Sequence, residues 1–168
     1  LGLKNIKVIK GDALKILPQI PKSCILNSKS FKIVGNIPYY ITGRLLRILG
    51  KLAASPKRGE PRPEISGREN KPSLIVLTTQ KEVAERICAQ PPKMNLLAAA
   101  VQFWAKPEII GYISKKDFRP IPKVDSAIIK ILSIAFKQRS LGKCYREGGY
   151  YKFIKILFKQ PRKTIINN

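Results

Sequence analysis

Histidine is absent from all 168 residues, and that one absence removes whole classes of chemistry. A Ser–His–Asp triad, a histidine general base, an imidazole metal site and zinc-finger spacing are all excluded. Cysteine is scarce. Cys24, Cys88 and Cys144 are far apart and odd in number, which reads as reduced cytosolic thiols rather than a disulfide framework. Acids are few as well: 10 Asp and Glu stand against 33 Lys and Arg, a formal net charge of +23. Lys-rich and Ile-rich composition can reflect coding bias, but a charge this lopsided repels itself unless a polyanion is bound. Nucleic acid is the simplest such partner and a membrane surface the weaker one. No apolar run approaches the roughly 20 residues of a spanning helix, and no apolar stretch follows a basic start, so neither a membrane span nor a signal peptide is expected. Metal is not expected either.

What is present suits a globular domain, with 44% hydrophobic residues, enough for a sizeable core. Ile6 to Ile9 predicts a short strand, followed by Asp12. An acid past the carboxyl end of a strand is either a ligand-binding group of an open α/β sheet or the cap of the next turn, and both readings stand. Pro18 to Ser30 reads as a loop. Phe31 to Ile41 (F-K-I-V-G-N-I-P-Y-Y-I) then runs a short apolar strand into a turn carrying Asn36, Pro38 and Tyr39. Thr42 reads as the cap of a helix through Leu52, with Leu45, Leu46, Leu49 and Leu52 on one face. Residues 51–72 are basic, Pro-rich and almost free of apolar side chains, a flexible solvated insertion. Leu74 to Leu77 reads as a doubly covered parallel strand, and Thr78 or Thr79 as the cap of a helix from Gln80 to Ala89. A helix from Met94 to Ala105, stopped by Pro107, leads to strands Ile109–Ile113 and Ala127–Leu132. The link between those strands carries Phe118, Pro120, Pro122 and Lys123. A last helix, Tyr150 to Lys159, turns Lys152, Lys155 and Lys159 outward as a basic stripe. Strands alternating with helices make the class α/β.

The turn and the link suggest one chemistry. An adenine amino nitrogen is a poor nucleophile because its lone pair is delocalised into the ring. Acceptors on its two hydrogens, the Asn36 side-chain oxygen and the Pro38 carbonyl, would draw it toward tetrahedral geometry. Tyr39 can stack on the extruded base and Phe118 can cover its other face, at about 1–3 kcal/mol per stacked base. The plainer alternative for Asn-x-Pro-Tyr is an ordinary turn after a buried strand. Placement and electrostatics carry such a reaction, so the lack of histidine is compatible with it.

Four motifs, N-I-P-Y-Y-I-T, Q-K-E-V-A-E-R-I, F-R-P-I-P-K-V-D-S-A-I-I and P-R-K-T-I-I-N-N, in this order and at these spacings, resemble the bacterial small-subunit rRNA adenine dimethyltransferases. Asp125 in V-D-S-A resembles these housekeeping enzymes more than the antibiotic-resistance rRNA methyltransferases. The resemblance implies a Rossmann-like class I methyltransferase sheet and S-adenosyl-L-methionine as cofactor. It also implies a cytoplasmic monomer that dimethylates two adjacent adenines near the rRNA 3′ end, on naked rRNA or on the assembling small subunit. By position, Asp12 and Asn36 are implied cofactor contacts, and Asn36, Pro38, Tyr39 and Phe118 the target-base site. Lys123, Arg162 and Lys163 join the stripe of Lys152, Lys155 and Lys159 as candidate RNA contacts. Lys123 could equally be a solvated turn residue, and the 162–163 pair part of a helix cap.

The chain also departs from that family. It opens on Leu1, and the family's basic arm, its G-x-G-x-G turn between a strand and a helix, and the acid ending the next strand are not among these residues. It therefore reads as a fragment. Residues 1–135 would be a partial methyltransferase domain and 136–168 a linker and the start of a helical region. The strands ending at Ile9 and Gly35 would lack neighbours, and cofactor binding would be negligible. A non-catalytic RNA-binding or ribosome assembly factor, or a mitochondrial-type transcription factor of the same family, is the competing reading.

Overall fold

The computed structural model describes residue 6 and residues 8–19, 30–53, 71–134 and 147–159. Arg162, Lys163 and most of the basic insertion lie outside the described residues. Strands β1 (Ser30–Asn36), β2 (Lys71–Gln80), β3 (Ala105–Ile113) and β4 (Ser126–Ser133) form one mixed sheet, ordered β1-β2-β4-β3. β1 and β2 are parallel, while β4 runs antiparallel to both its neighbours.

The two-residue alternation of strand side chains selects the core face. Register sets Ile75 against Ile131, Leu77 against Ile129 and Thr79 against Ala127, and all six are buried. Helices α2 (Thr42–Ala53), α3 (Lys81–Cys88) and α4 (Leu96–Gln102) close over that face with Leu45, Leu46, Leu49, Leu52, Ala84, Ile87 and Val101. The leucine face predicted for the first of these is buried as its spacing requires. α2 lies close on Trp104. A Cβ added at Gly50 would stand 2.8 Å from the indole Nε1, so glycine permits the approach. The opposite face carries Val34, Val76, Lys130 and Glu108 in one cross-strand row. Lys130 and Glu108 pair there at 2.7 Å.

Short α1 (Ala13–Ile16) packs against α2. Helix α5 (Glu147–Leu157) docks on α4, where Tyr150 stacks on Phe103 with centroids 3.9 Å apart. Its Tyr150 and Tyr151 hydroxyls donate to the carbonyls of Ala99 and Ala100.

Several expectations change. Ile6, Val8 and Ile9 are exposed, Val8 to 88%, and belong to no strand. An apolar run becomes a strand only where it pairs with an adjacent edge, and these residues do not add to the outer edge of β1, which ends the sheet among the described residues. β1 itself does have a neighbour, pairing with β2 along its whole length. β2 is not doubly covered, since Leu74 and Val76 on its second face are only half-buried. The insertion is narrower than 51–72, because α2 runs to Ala53 and β2 starts at Lys71. Thr78 and Thr79 stay in the strand, and Gln80 takes the cap position of α3 without a side-chain bond. The first amide of α3, that of Lys81, donates instead to the Asp125 carbonyl at 3.0 Å. α4 ends at Gln102, before Pro107, after starting on Asn95, whose side chain accepts from the amides of Leu97 and Ala98. Pro107 lies inside β3, an edge strand among the described residues, where a missing N–H is tolerated.

Candidate active site

The site grows from the carboxyl end of β1. Asn36 closes the strand with an exposed side chain, and Pro38 starts a single tight turn, Tyr39–Ile41, that leads directly into α2. Three bonds fix this turn. The Ile41 amide donates to the Pro38 carbonyl at 3.1 Å, and the Thr42 amide and hydroxyl both donate to the Tyr39 carbonyl, the hydroxyl at 2.9 Å. The Pro38 oxygen retains a second lone pair. Thr42 and Thr79, exposed by 2% and 0%, bring their hydroxyls within 3.3 Å of each other, which ties the turn to β2.

The second half arrives from β3 and β4. Because these strands are antiparallel, Ile113 and Gln80 both pair with Ser126, and the connection 114–125 hangs over the edge where Asn36 ends. That edge, outside the carboxyl ends of parallel strands, is where open α/β sheets place ligands. Ser114 caps a short turn, Lys115–Asp117, and half-buried Phe118 follows it. Asp125 braces the connection: its carboxylate accepts from the Lys115 amide at 3.0 Å and its carbonyl from Lys81. The next residue, Ser126, is fully buried, and its Oγ lies 2.6 Å from the Tyr39 hydroxyl. This bond joins the two halves. By the strand alternation, Asn36 and Ser126 lie on the same face of the sheet.

Thus Asn36, Pro38, Tyr39 and the Phe118 connection come to one edge. Lys123, on the same connection as Phe118, is exposed in a cleft of about 310 Å³ walled by Lys81, Glu82, Glu85 and Lys115 among others, and none of Asn36, Pro38, Tyr39 and Phe118 lines it. Lys152, Lys155 and Lys159 are exposed as predicted, but α5 is anchored beside Phe103, two residues before β3 begins and at the other end of the sheet. Asp12 is exposed, and its Oδ1 accepts from the Leu14 amide at 2.9 Å as the cap of α1. Sequence reasoning missed Ser126, Thr79 and the second role of Thr42. The signal was a hydroxyl heading one apolar strand and another closing L-I-V-L-T.

S-adenosylmethionine needs more than these residues offer. Asp12 supplies one carboxylate oxygen beyond its cap, and Asn36 one exposed amide. No glycine-rich turn joins a strand to a helix among the described residues. These residues do not fit the whole cofactor. Among them, too, no group of three or more Cys, Asp or Glu could hold a metal, and no helix is long and apolar enough to cross a membrane.

The family model for ribosomal RNA adenine dimethylase matches residues 2–168. A ribosomal RNA small subunit methyltransferase A of Dehalococcoides mccartyi is 32% identical, covering 97% of this chain and 48% of the relative. The protein of that name from Crocosphaera subtropica is 37% identical, covering 98% and 56%. The chain therefore spans about half the length of these curated relatives. The crystal structure of a dimethyladenosine transferase from Plasmodium falciparum superposes with a TM-score of 0.66 at 27% identity, over 99% of this chain and 52% of that one. A 23S rRNA methyltransferase, ErmE, superposes at 0.64 with 21% identity over 98% and 56%. The sheet is that of the Rossmann-like class I methyltransferases.

Proposed function

The chain belongs to the ribosomal RNA adenine dimethylase family, and from that footing we propose that it carries the base-holding half of an rRNA adenine N6,N6-dimethyltransferase. The substrate is a pair of adjacent adenines near the 3′ end of small-subunit rRNA, and in the whole protein S-adenosylmethionine supplies the methyl groups. The observation that carries this reading is the clamp of the Asn36–Tyr39 turn onto the connection bearing Phe118, through the Tyr39–Ser126 bond.

The chain's own groups then divide the work. Tyr39 and Phe118 hold the extruded ring by its faces. The exposed Asn36 oxygen and the second lone pair of the Pro38 carbonyl accept the two amino hydrogens. Both acceptors are uncharged, and the proton leaves a product that is already cationic, so no strong base is needed. Lys123 and the α5 lysines attract the phosphate backbone.

In the complete enzyme, Asn36→Ala should lower methyl transfer on the order of 100-fold while weakening RNA affinity by only about fivefold, one hydrogen bond's worth. Equal loss of both would contradict the assigned role. These 168 residues alone should bind RNA but not the cofactor, and low-micromolar binding of S-adenosylmethionine by calorimetry would contradict the division into halves.

A further inference from the structure

We propose that Ser126 is the positioning residue of the adenine site, locking the Tyr39 ring in the orientation that receives the base. This rests on the adenine-pocket reading above and extends it to a residue that makes no contact with substrate.

Tyr39 is held at both ends. Its backbone is fixed by the Thr42 hydroxyl on its carbonyl, with Thr42 in turn beside Thr79 of β2. Its phenol meets Ser126 at 2.6 Å. Ser126 is fully buried, and as the first residue of β4 it pairs with Gln80 on one side and Ile113 on the other. Asp125, immediately before it, is braced by the Lys81 and Lys115 amides. Few positions at this edge are so firmly set. A buried hydroxyl requires a partner, and Ser126 finds it in the phenol, so the bond persists with or without a base.

Two consequences follow from a phenol committed to the protein. The ring is ordered before the base arrives, which removes the cost of ordering it on binding. Tyr39 also presents a face rather than a hydrogen bond, so amino-group recognition falls to Asn36 and Pro38.

The test measures affinity of the 168-residue chain for an RNA hairpin carrying the two adenines, and for the same hairpin with abasic sites there. Variants are Ser126→Ala, Tyr39→Phe, their combination, and Tyr39→Ala, each checked by thermal unfolding. Ser126→Ala and Tyr39→Phe should each weaken adenine RNA by about threefold to tenfold, one hydrogen bond's worth. They should leave abasic RNA unchanged, and the double variant should be no worse than either single one. If Ser126→Ala binds adenine RNA like the wild type while Tyr39→Ala binds it weakly, the positioning role fails and the pocket stands. Equal loss on both RNAs reduces Ser126 to a structural residue and also overturns the proposal. If Tyr39→Ala is itself without effect, both the proposal and the adenine pocket fall.

Discussion

At the scale of single residues, the proposed site divides labour between an exposed amide, a half-committed carbonyl and a ring whose hydroxyl bonds to Ser126, and on that proposal none of these groups changes its charge during the reaction. The thiol of Cys88 is a useful contrast outside the site. Burial first, and the charge of Glu108 second, push its pKa above the ordinary thiol value. It stays protonated at neutral pH and should be alkylated by iodoacetamide more slowly than a free thiol, measured on its own peptide by mass spectrometry. Since thiolate is the reactive form, a rate equal to that of a small free thiol would contradict this placement. Asn36, Pro38, Tyr39 and Phe118 were singled out from sequence because each carries distinctive chemistry in a short motif, and the fold brings them to one edge. Ser126 was not: a serine heading an apolar strand looks like the end of a loop, and only folding brings Tyr39, 87 residues away in the chain, onto it.

At the scale of elements, close packing and strand pairing decide what local pattern cannot. α2 shows the packing side. Replacing Gly50 with alanine gains about 1 kcal/mol of helix propensity, but the added carbon would lie 2.8 Å from the Trp104 ring, which is buried and cannot swing away. Overpacking costs about 1–3 kcal/mol, so the variant should unfold a few degrees lower; an unchanged or raised midpoint would show that Trp104 yields. The β3–β4 pair shows the electrostatic side. A hydrogen bond from Lys130, then its charge, holds the Glu108 carboxyl below its ordinary pKa. That pair therefore stabilises the fold above the ordinary carboxylate pKa and loses its contribution as pH falls through the lowered one. Glu108 is exposed, so the contribution is small: Glu108→Gln should match the wild type near pH 3, unfold slightly lower at pH 7, and so flatten the acid limb between them, as read by unfolding midpoints. The helix with four leucines was readable because its period matches its face, whereas the continuous run L-I-V-L hid which of its residues face the core. The run Ile6–Ile9 looked equally strand-like, yet sequence periodicity carries no information about whether an edge is waiting to pair. Pro107 misled in the opposite direction: it marks an edge strand and not a helix stop.

At the scale of the molecule, a net charge of +23 and the proposed uncharged base pocket would separate affinity from recognition. Helix α5 is anchored at Phe103, beside the end of the sheet away from Asn36, so its lysines should hold RNA without reading it. Neutralising Lys152, Lys155 and Lys159 together should lower the salt dependence of RNA binding by about 2 in log–log slope and leave adenine preference intact. Loss of that preference would mean that α5 reaches the pocket. What brings the two motifs together is the antiparallel course of β4, which returns the Phe118 connection to the edge where Asn36 ends. Such long-range pairing is invisible in composition and spacing, although motif order suggested that the pieces belonged to one site.

The most direct test of an amino-reading pocket compares RNA hairpins that differ by that group alone. The affinity of the chain is measured for the hairpin with its two adenines, and again with each replaced by purine, which lacks the amino group. Two lost acceptor bonds, at about 1 kcal/mol each, should weaken binding by about 10-fold or more, and Asn36→Ala should shrink the difference. Equal affinity for the two hairpins would contradict the assignment of Asn36 and Pro38 to the adenine amino group.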